Sequence, residues 1–221
     1  MKKYIFLLIA LLSSLSTWAY DDYELDGIAY RIYAANGSDP AYASVYQNKS
    51  SVYDLSGTVT IPASITYNET NYPVTKIERW YYGNEVDLVL PVSIKQESDV
   101  SWSYVHALNS LKLPESFTSF NLVSVRSAIR TLIVPKTVTS ITIPQYSSSN
   151  GTRVIGAVDV DADNPNYASI DGVLFNKTKS TLIFYPYLKS GKSYTVPSGV
   201  TTIGSNAFWY NDNLEKITIS E

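Results

Sequence analysis

The 221-residue sequence predicts a mainly β solenoid, a stack of short parallel strands behind an N-terminal β cap. Three observations predict it. No long stretch carries helical periodicity, whereas short apolar and β-branched runs broken by Pro, Gly, Asn and Ser are dense. One unit recurs: an apolar residue, any residue, an apolar residue, then proline. It reads Val59-Thr60-Ile61-Pro62, Leu88-Val89-Leu90-Pro91, Leu111-Lys112-Leu113-Pro114 and Leu132-Ile133-Val134-Pro135, and returns as Tyr194-Thr195-Val196-Pro197 and Ile217-Thr218-Ile219-Ser220. Beyond each proline a second spacing repeats, since Ile77 to Tyr82, Phe120 to Val125, Ile141 to Tyr146 and Ile203 to Phe208 are all five apart.

The chain opens as a leader. Lys2 and Lys3 form a positive end and Ile5 to Leu12 is an unbroken apolar run. Thr17-Trp18-Ala19 offers small residues at the two positions a signal peptidase inspects. Eight apolar residues are too few to span a bilayer, which needs about 20, so residues 1–19 are expected to be removed and the mature protein to begin at Tyr20. Residues 20–76 are assigned to the β cap and 77–221 to the repeats.

Within the repeats, two apolar residues separated by one point to the same face of a strand. Proline then stops the strand, because it has no N–H to give to a ladder. Pro62, Pro91, Pro114 and Pro135 stand 29, 23 and 21 residues apart. A period of about 20–29 residues is that of leucine-rich repeats. Leu113, Val134 and Ile219 are expected in one buried column, and Leu111, Leu132 and Ile217 in another, with Lys112, Ile133 and Thr218 outward. Ile133 is apolar at an outward place, where it touches a flanking segment or belongs to a contact surface. Val200 and Ile203 are expected inward, with Ala207-Phe208 closing the turn.

The segment Val196 to Ile219 resembles the BspA-type leucine-rich repeats of bacterial surface proteins, whose pattern is I-P-x-x-V-x-x-I-G-x-x-A-F followed by L-x-x-I-x-I. Leu214 to Ile219 supplies the second part. Asn164-Pro165-Asn166-Tyr167 and Ile170-Asp171-Gly172-Val173-Leu174-Phe175 resemble a further hallmark, N-P-x-Y-x-S-x-D-G-V-L-F, which Leu182 to Pro186 continues. Tyr23 to Tyr30 and Tyr72 to Ile77 look like the capping strands of such proteins. Between Tyr82 and Asn150 the Gly and Ala-Phe places are lost, and Glu78 stands where the family has Gly. The resemblance implies a leucine-rich-repeat right-handed superhelix and adhesion to host or neighbouring-cell proteins. The last copy ends at Glu221, directly after a strand. Its apolar face is then covered by another chain, or the chain stops short of its cap.

Charge and composition exclude several functions. The formal net charge is −3, with 17 basic and 20 acidic residues; without Lys2 and Lys3 it is −5. This opposes nucleic-acid binding, which needs a basic face, and a polybasic membrane anchor. No cysteine is present, so neither disulfides nor a lipid-modified cysteine are available and the chain is not expected to be a lipoprotein. His106 is the sole histidine, too little for a Cys/His dyad or a typical zinc site. Asp159, Asp161 and Asp163 alternate, but an EF-hand loop from Asp159 would need Gly and Glu where Asn164 and Ile170 stand. A strand with Val158 and Val160 inward and the aspartates outward explains the alternation. No G-x-S-x-G elbow or phosphate-binding loop occurs. Five N-x-S/T acceptors, at Asn36, Asn48, Asn68, Asn150 and Asn176, are expected by chance in a chain so rich in these residues.

The expectation is therefore a non-enzymatic protein without cofactor or metal, secreted or at the cell surface, with a periplasmic location also open. Its partner is an extracellular protein or, alternatively, a glycan; an architectural spacer without ligand is the third reading. The candidate ligand-binding residues are aromatics in or near turns: Trp80, Tyr81, Trp102, Tyr104, Trp209 and Tyr210. Flat exposed rings can stack on sugars or anchor a protein partner. The competing explanation is packing over the solenoid edge, the role assigned to Tyr82 and Phe208.

Overall fold

The computed structural model describes residues 20–47, 55–80, 85–102, 105, 108–122, 128–143 and 155–220. The leader, the acceptors Asn48 and Asn150, and Tyr82, Val125 and Tyr146 of the five-residue spacing lie outside them. Strands dominate, and helical structure among the described residues is limited to 3-10 turns at Glu97–Asp99 and at Trp102.

The cap is a five-stranded sheet of β1 (Tyr20–Leu25), β2 (Ile28–Tyr33), β3 (Tyr42–Gln47), β5 (Ser64–Tyr67) and β6 (Thr70–Trp80), in the order β1-β2-β3-β6-β5. Two-residue turns close two of its three hairpins. Asp26-Gly27 joins Leu25 to Ile28, and Asn68-Glu69 joins Tyr67 to Thr70, all four residues having positive φ. That conformation matches the right-handed twist of the flanking strands. Ile28, Tyr30, Ile32, Ala43, Val45, Val74 and Ile77 turn one face of this sheet into the core. Gln47 is buried with them. Its Oε1 accepts from the Ala29 N–H at 2.8 Å and its Nε2 donates to the Gly27 carbonyl at 3.4 Å, which fastens the end of β3 to the first hairpin.

The solenoid sheet holds five parallel strands: β4 (Thr58–Thr60), β7 (Val86–Val89), β8 (Leu108–Lys112), β10 (Ile129–Val134) and β12 (Ile155–Val160), in the order β12-β10-β8-β7-β4. Register aligns Val59, Leu88, Leu111, Leu132 and Val158 in one column, and all five are buried. Ile61, Leu90, Leu113, Val134 and Val160, two residues on, are buried as well. Each proline then makes a tight turn. The carbonyls of Pro91, Pro114, Pro135 and Pro197 accept the N–H three residues on, at 3.0–3.3 Å, from Ile94, Phe117, Val138 and Val200. The turn returns an apolar side chain to the core every repeat, and Ile94, Phe117 and Val138 are buried there. Part of the opposite wall is β9 (Ser119–Asn121) paired in parallel with β11 (Ser140–Thr142), Phe120 facing Ile141.

Beyond β12 the stack changes. A hairpin of β13 (Tyr167–Ile170) and β14 (Val173–Asn176), turning on Asp171-Gly172, continues into β15 (Thr181–Phe184) and β17 (Thr202–Ile203). This segment takes hydrogen bonds on the free side of β12, Val158 N–H to the Gly172 carbonyl and Leu188 N–H to the Ile155 carbonyl, both at 2.9 Å. Gly172 is required twice over: its φ is +76°, and a Cβ there would stand 2.8 Å from that of Ala157. β16 (Ser193–Val196) and β18 (Lys216–Ile219) therefore form a separate two-stranded parallel sheet. Ile217 and Ile219 thus do not share columns with Leu111 and Leu113. They pair with Tyr194 and Val196 and are 43% and 61% exposed, because no strand lies beyond β18 among the described residues. Ile203, expected inward, is 42% exposed for the same reason, its one strand neighbour being β15. Val200, Ala207 and Phe208 do pack against the second core of Val173, Phe175, Leu182 and Tyr185.

β6 runs unbroken from Thr70 to Trp80, and β4, assigned to the cap, is the first strand of the solenoid sheet.

Candidate binding surfaces

Period two has a corollary for the solenoid sheet: what does not face the core forms rows on the outside. Thr60, Val89, Lys112, Ile133 and Asp159 stand in register as one row, and Thr58, Asp87, Ser110, Thr131 and Ala157 as the next. Ile133 and Val89 are half-buried on either side of exposed Lys112. The second row is small and polar, and it is tied down. Asp87 accepts from Asn109 Nδ2 and Ser110 Oγ, both at 2.7 Å. At the strand ends Arg130 makes a bidentate pair with Glu85, at 2.7 and 2.8 Å. That contact lowers the pKa of the Glu85 carboxyl, with hydrogen bonding to the guanidinium as its main cause. The result is a flat face whose side chains are spaced by the ladder, about 4.8 Å per strand.

The predicted aromatics scatter. Trp80 is fully buried at the end of β6, where it pairs across from Gln47, and Trp102 is buried with its ring edge-on to Phe120 at 5.4 Å. Trp102 Nε1 donates to the Glu97 carbonyl at 3.1 Å, so its one polar atom is satisfied inside. Neither can meet a ligand. Both close the core between cap and repeats, where a large ring fills more volume than an aliphatic side chain. Tyr81, Tyr104 and His106 lie outside the described residues. Trp209 and Tyr210 do reach the surface. They stack at 5.5 Å with 28° between planes, on a turn where Asn206 and Tyr210 have positive φ. The aspartate run is arranged as read: Val158 and Val160 are buried, and Asp159, Asp161 and Asp163 are exposed.

Sequence reasoning missed a third surface, the outer face of the cap sheet. Tyr33 and Tyr42 are cross-strand partners and stack at 4.6 Å and 14°. Tyr20 lies 5.7 Å from Tyr33, tilted by 51°. The Arg31 guanidinium is sandwiched, 4.1 Å from the Tyr20 ring centre and 3.2 Å from that of Tyr46. Glu78 accepts from the Tyr33 hydroxyl at 2.7 Å and from Arg31 at 3.4 Å. Burial first, and this hydrogen bond second, hold the Tyr33 phenol far above its ordinary pKa. Beside these rings lies a concavity of about 600 Å³ lined by Tyr20, Tyr33, Tyr42, Asp39, Thr75 and Lys76, with Pro40, Ala41 and Pro73. The period of two put Arg31 and Tyr33 opposite Tyr30 and Ile32, but Tyr33 is itself buried at 7% exposure under its neighbours, and the other members come from distant strands.

Among the described residues no group of three or more His, Cys, Asp or Glu is placed to hold a metal ion, and no helix is long and apolar enough to cross a membrane. No protein-family model matches the chain, and no curated protein sequence does. Some solved structures are similar. The pneumococcal vaccine antigen PcpA is 20% identical over 93% of this chain and 66% of its own, with a TM-score of 0.42. A leucine-rich repeat protein from Eubacterium ventriosum is 20% identical over 91% of this chain and 60% of its own, at 0.47. A leucine-rich cell surface protein from Faecalibacterium prausnitzii is 18% identical over 94% and 78%, at 0.40. The chain thus spans less than two thirds of the length of the first two. The strand pairing itself, rather than these likenesses, makes the chain a β-solenoid of short parallel strands.

Proposed function

We propose that this chain is a secreted or cell-surface binding protein without catalytic activity, and that it contacts extracellular proteins through the outer face of the solenoid sheet. One observation carries the reading: five strands in register set apolar Val89 and Ile133 beside charged Lys112 and Asp159 in a single row. With Lys112 between Val89 and Ile133 and Asp159 at one end, the row offers a partner apolar contact and charge pairing side by side. The strand ladder holds these side chains before any partner arrives, so little ordering entropy is left for binding. The predicted leader supports export, and the resemblance to BspA-type repeats supports adhesion. Among the described residues of the predicted aromatic set, Trp209 and Tyr210 are the two that are not buried, which favours them as contacts.

The test is an array of extracellular proteins probed with the wild-type chain and with Ile133→Asp and Lys112→Glu. Capture of a defined protein, weakened at least about tenfold in Ile133→Asp with unchanged melting, is the expected result, since loss of a contact worth about 1.4 kcal/mol has that effect. Capture of no protein, or capture indifferent to both substitutions, overturns the proposal.

A further inference from the structure

We infer that the concavity on the outer face of the cap sheet is a second site, independent of the sheet-face reading, and that it takes a short neutral saccharide. Its floor is aromatic and already fixed. Tyr33 is held by its hydrogen bond to Glu78, and Tyr42 by stacking on Tyr33 and by Lys76, whose Nζ donates to the Tyr42 hydroxyl at 3.5 Å and lies 4.8 Å from the ring centre. Tyr20 stands beside them at an angle and is 42% exposed, so the rings form a corner rather than a flat patch. Rings frozen before binding lose little freedom on contact, and their apolar faces match the C–H faces of a pyranose.

The rim is polar and of both signs. Asp39 is exposed, and its carboxylate has no side-chain hydrogen bond among the described residues, leaving it free to accept. Lys76 is a cation with three N–H donors, of which Tyr42 takes one. Thr75 brings a hydroxyl that does both. Sugar hydroxyls donate and accept at once, so a mixed rim around an aromatic floor suits a polyol. Among the lining side chains Asp39 and Lys76 balance, so an uncharged polyol meets no net charge from them. The lip is rigid, because Asn36 and Asp39 exchange two backbone hydrogen bonds at 3.0 Å and Pro40 follows with its φ fixed. An extended peptide fits less well. β2, β3 and β6 are interior to the sheet, and the edge strand at the site, β1, contributes only its first residue, Tyr20, so little free backbone faces the concavity. A volume of about 600 Å³ lies within the usual range of about 300–1,000 Å³ for small-ligand sites.

The experiment probes the full chain, as its own cell processes it, on an array of neutral oligosaccharides: gluco-, galacto-, manno- and N-acetylglucosamine trisaccharides. Any hit is then titrated by calorimetry. Tyr20→Ala and Asp39→Asn are the variants, both at exposed positions, with melting curves as the folding control. A neutral saccharide bound with a Kd of about 1 mM or tighter, and weakened at least about tenfold by either variant, is the result the site predicts. The assignment is overturned if no neutral saccharide binds below about 10 mM. Binding confined to acidic glycans, or left intact by both variants, overturns it as well. Ile133→Asp leaves this binding unchanged, so failure here and failure of the protein-contact proposal are separate results.

Discussion

Among the described residues, Asn164 is the buried polar residue that ties neighbouring repeats together, and its removal gives a graded test of the stack. The side chain has no exposure and makes four hydrogen bonds. Its Nδ2 donates to the carbonyls of Pro135 and Val138 in the preceding repeat, both at 2.9 Å. Its Oδ1 accepts from the N–H groups of Asn166 and Tyr167, at 3.0 and 2.9 Å. Asn164→Ala removes the partner of the Val138 carbonyl and of two N–H groups, while the Pro135 carbonyl keeps the Val138 N–H at 3.3 Å. Water can reach Asn166 and Tyr167, which are exposed and half-buried, but Val138 is buried. An unsatisfied buried carbonyl costs about 1–3 kcal/mol, so the expected loss is about 1–3 kcal/mol. Asn164→Asp keeps the shape and the two accepted bonds but points an anion at two carbonyl oxygens. The introduced carboxyl is then driven to a raised folded-state pKa. Its protonated form can donate to one carbonyl, and that stability is present below the unfolded value of about 3.9 and lost as pH rises through the folded value. Urea denaturation followed by tryptophan fluorescence, at pH 4 and pH 7, measures both variants. Asn164→Asp should fall further below wild type at pH 7 than at pH 4. A loss under about 1 kcal/mol for Asn164→Ala, or the same deficit for Asn164→Asp at both pH values, refutes the bridging role.

Three further outcomes are expected. Leu111→Ala or Leu132→Ala should cost about 2–5 kcal/mol, whereas Lys112→Ala and Thr218→Ala should stay within about 0.5 kcal/mol; Ile219→Ala, at an exposed site, should fall near the second group, and denaturant midpoints separate the two. Gly172→Ala should cost about 1–3 kcal/mol from its positive φ alone, with the contact to Ala157 added, visible as a lowered Tm. Burial raises the phenol pKa of Tyr30 and Tyr33, and pushes that of Tyr194 up to about 12. Folded phenols keep their protons while unfolded ones ionise from pH 10 upward, so stability from these groups is complete below pH 10 and declines as pH rises through the folded values, by about 1.4 kcal/mol per pH unit and tyrosine. A flat alkaline titration of stability between pH 10 and 11.5 would contradict their burial.

The alternation Leu111-Lys112-Leu113 was enough to place three side chains, because a strand decides inside from outside locally. Val158 and Val160 followed for the same reason. Where burial depends on a residue's position in the stack, the sequence pattern is mute. Ile217-Thr218-Ile219 reads like Leu132-Ile133-Val134, yet its isoleucines are exposed because no strand lies beyond β18 among the described residues. Nor does the pattern show that the β13–β14 segment takes the free side of β12 and splits the sheet. Trp80 and Trp102 look alike in sequence to Trp209, all three sitting at turns; what differs is that the first two lie where cap and repeats close on each other. Residues 20, 33, 39, 42 and 76 become neighbours through strand register, a relation that no local spacing carries.

The split at β12 has a consequence for how the molecule comes apart. Two apolar clusters share the chain, a large one reaching from Ile28 to Phe184 and a small one of Val173, Phe175, Leu182, Tyr185 and Ala207. β16 and β18 belong to a two-stranded sheet with no ladder to the five-stranded one. Cooperative units of this kind open independently, each with its own free energy. Residues 193–220 can therefore fray and reclose while the cap and first repeats stay shut. Amide exchange should be fastest in β16 and β18 and slowest in β8 and β10, and a protease acting on native protein should cut within 193–220 before it reaches the rest of the solenoid.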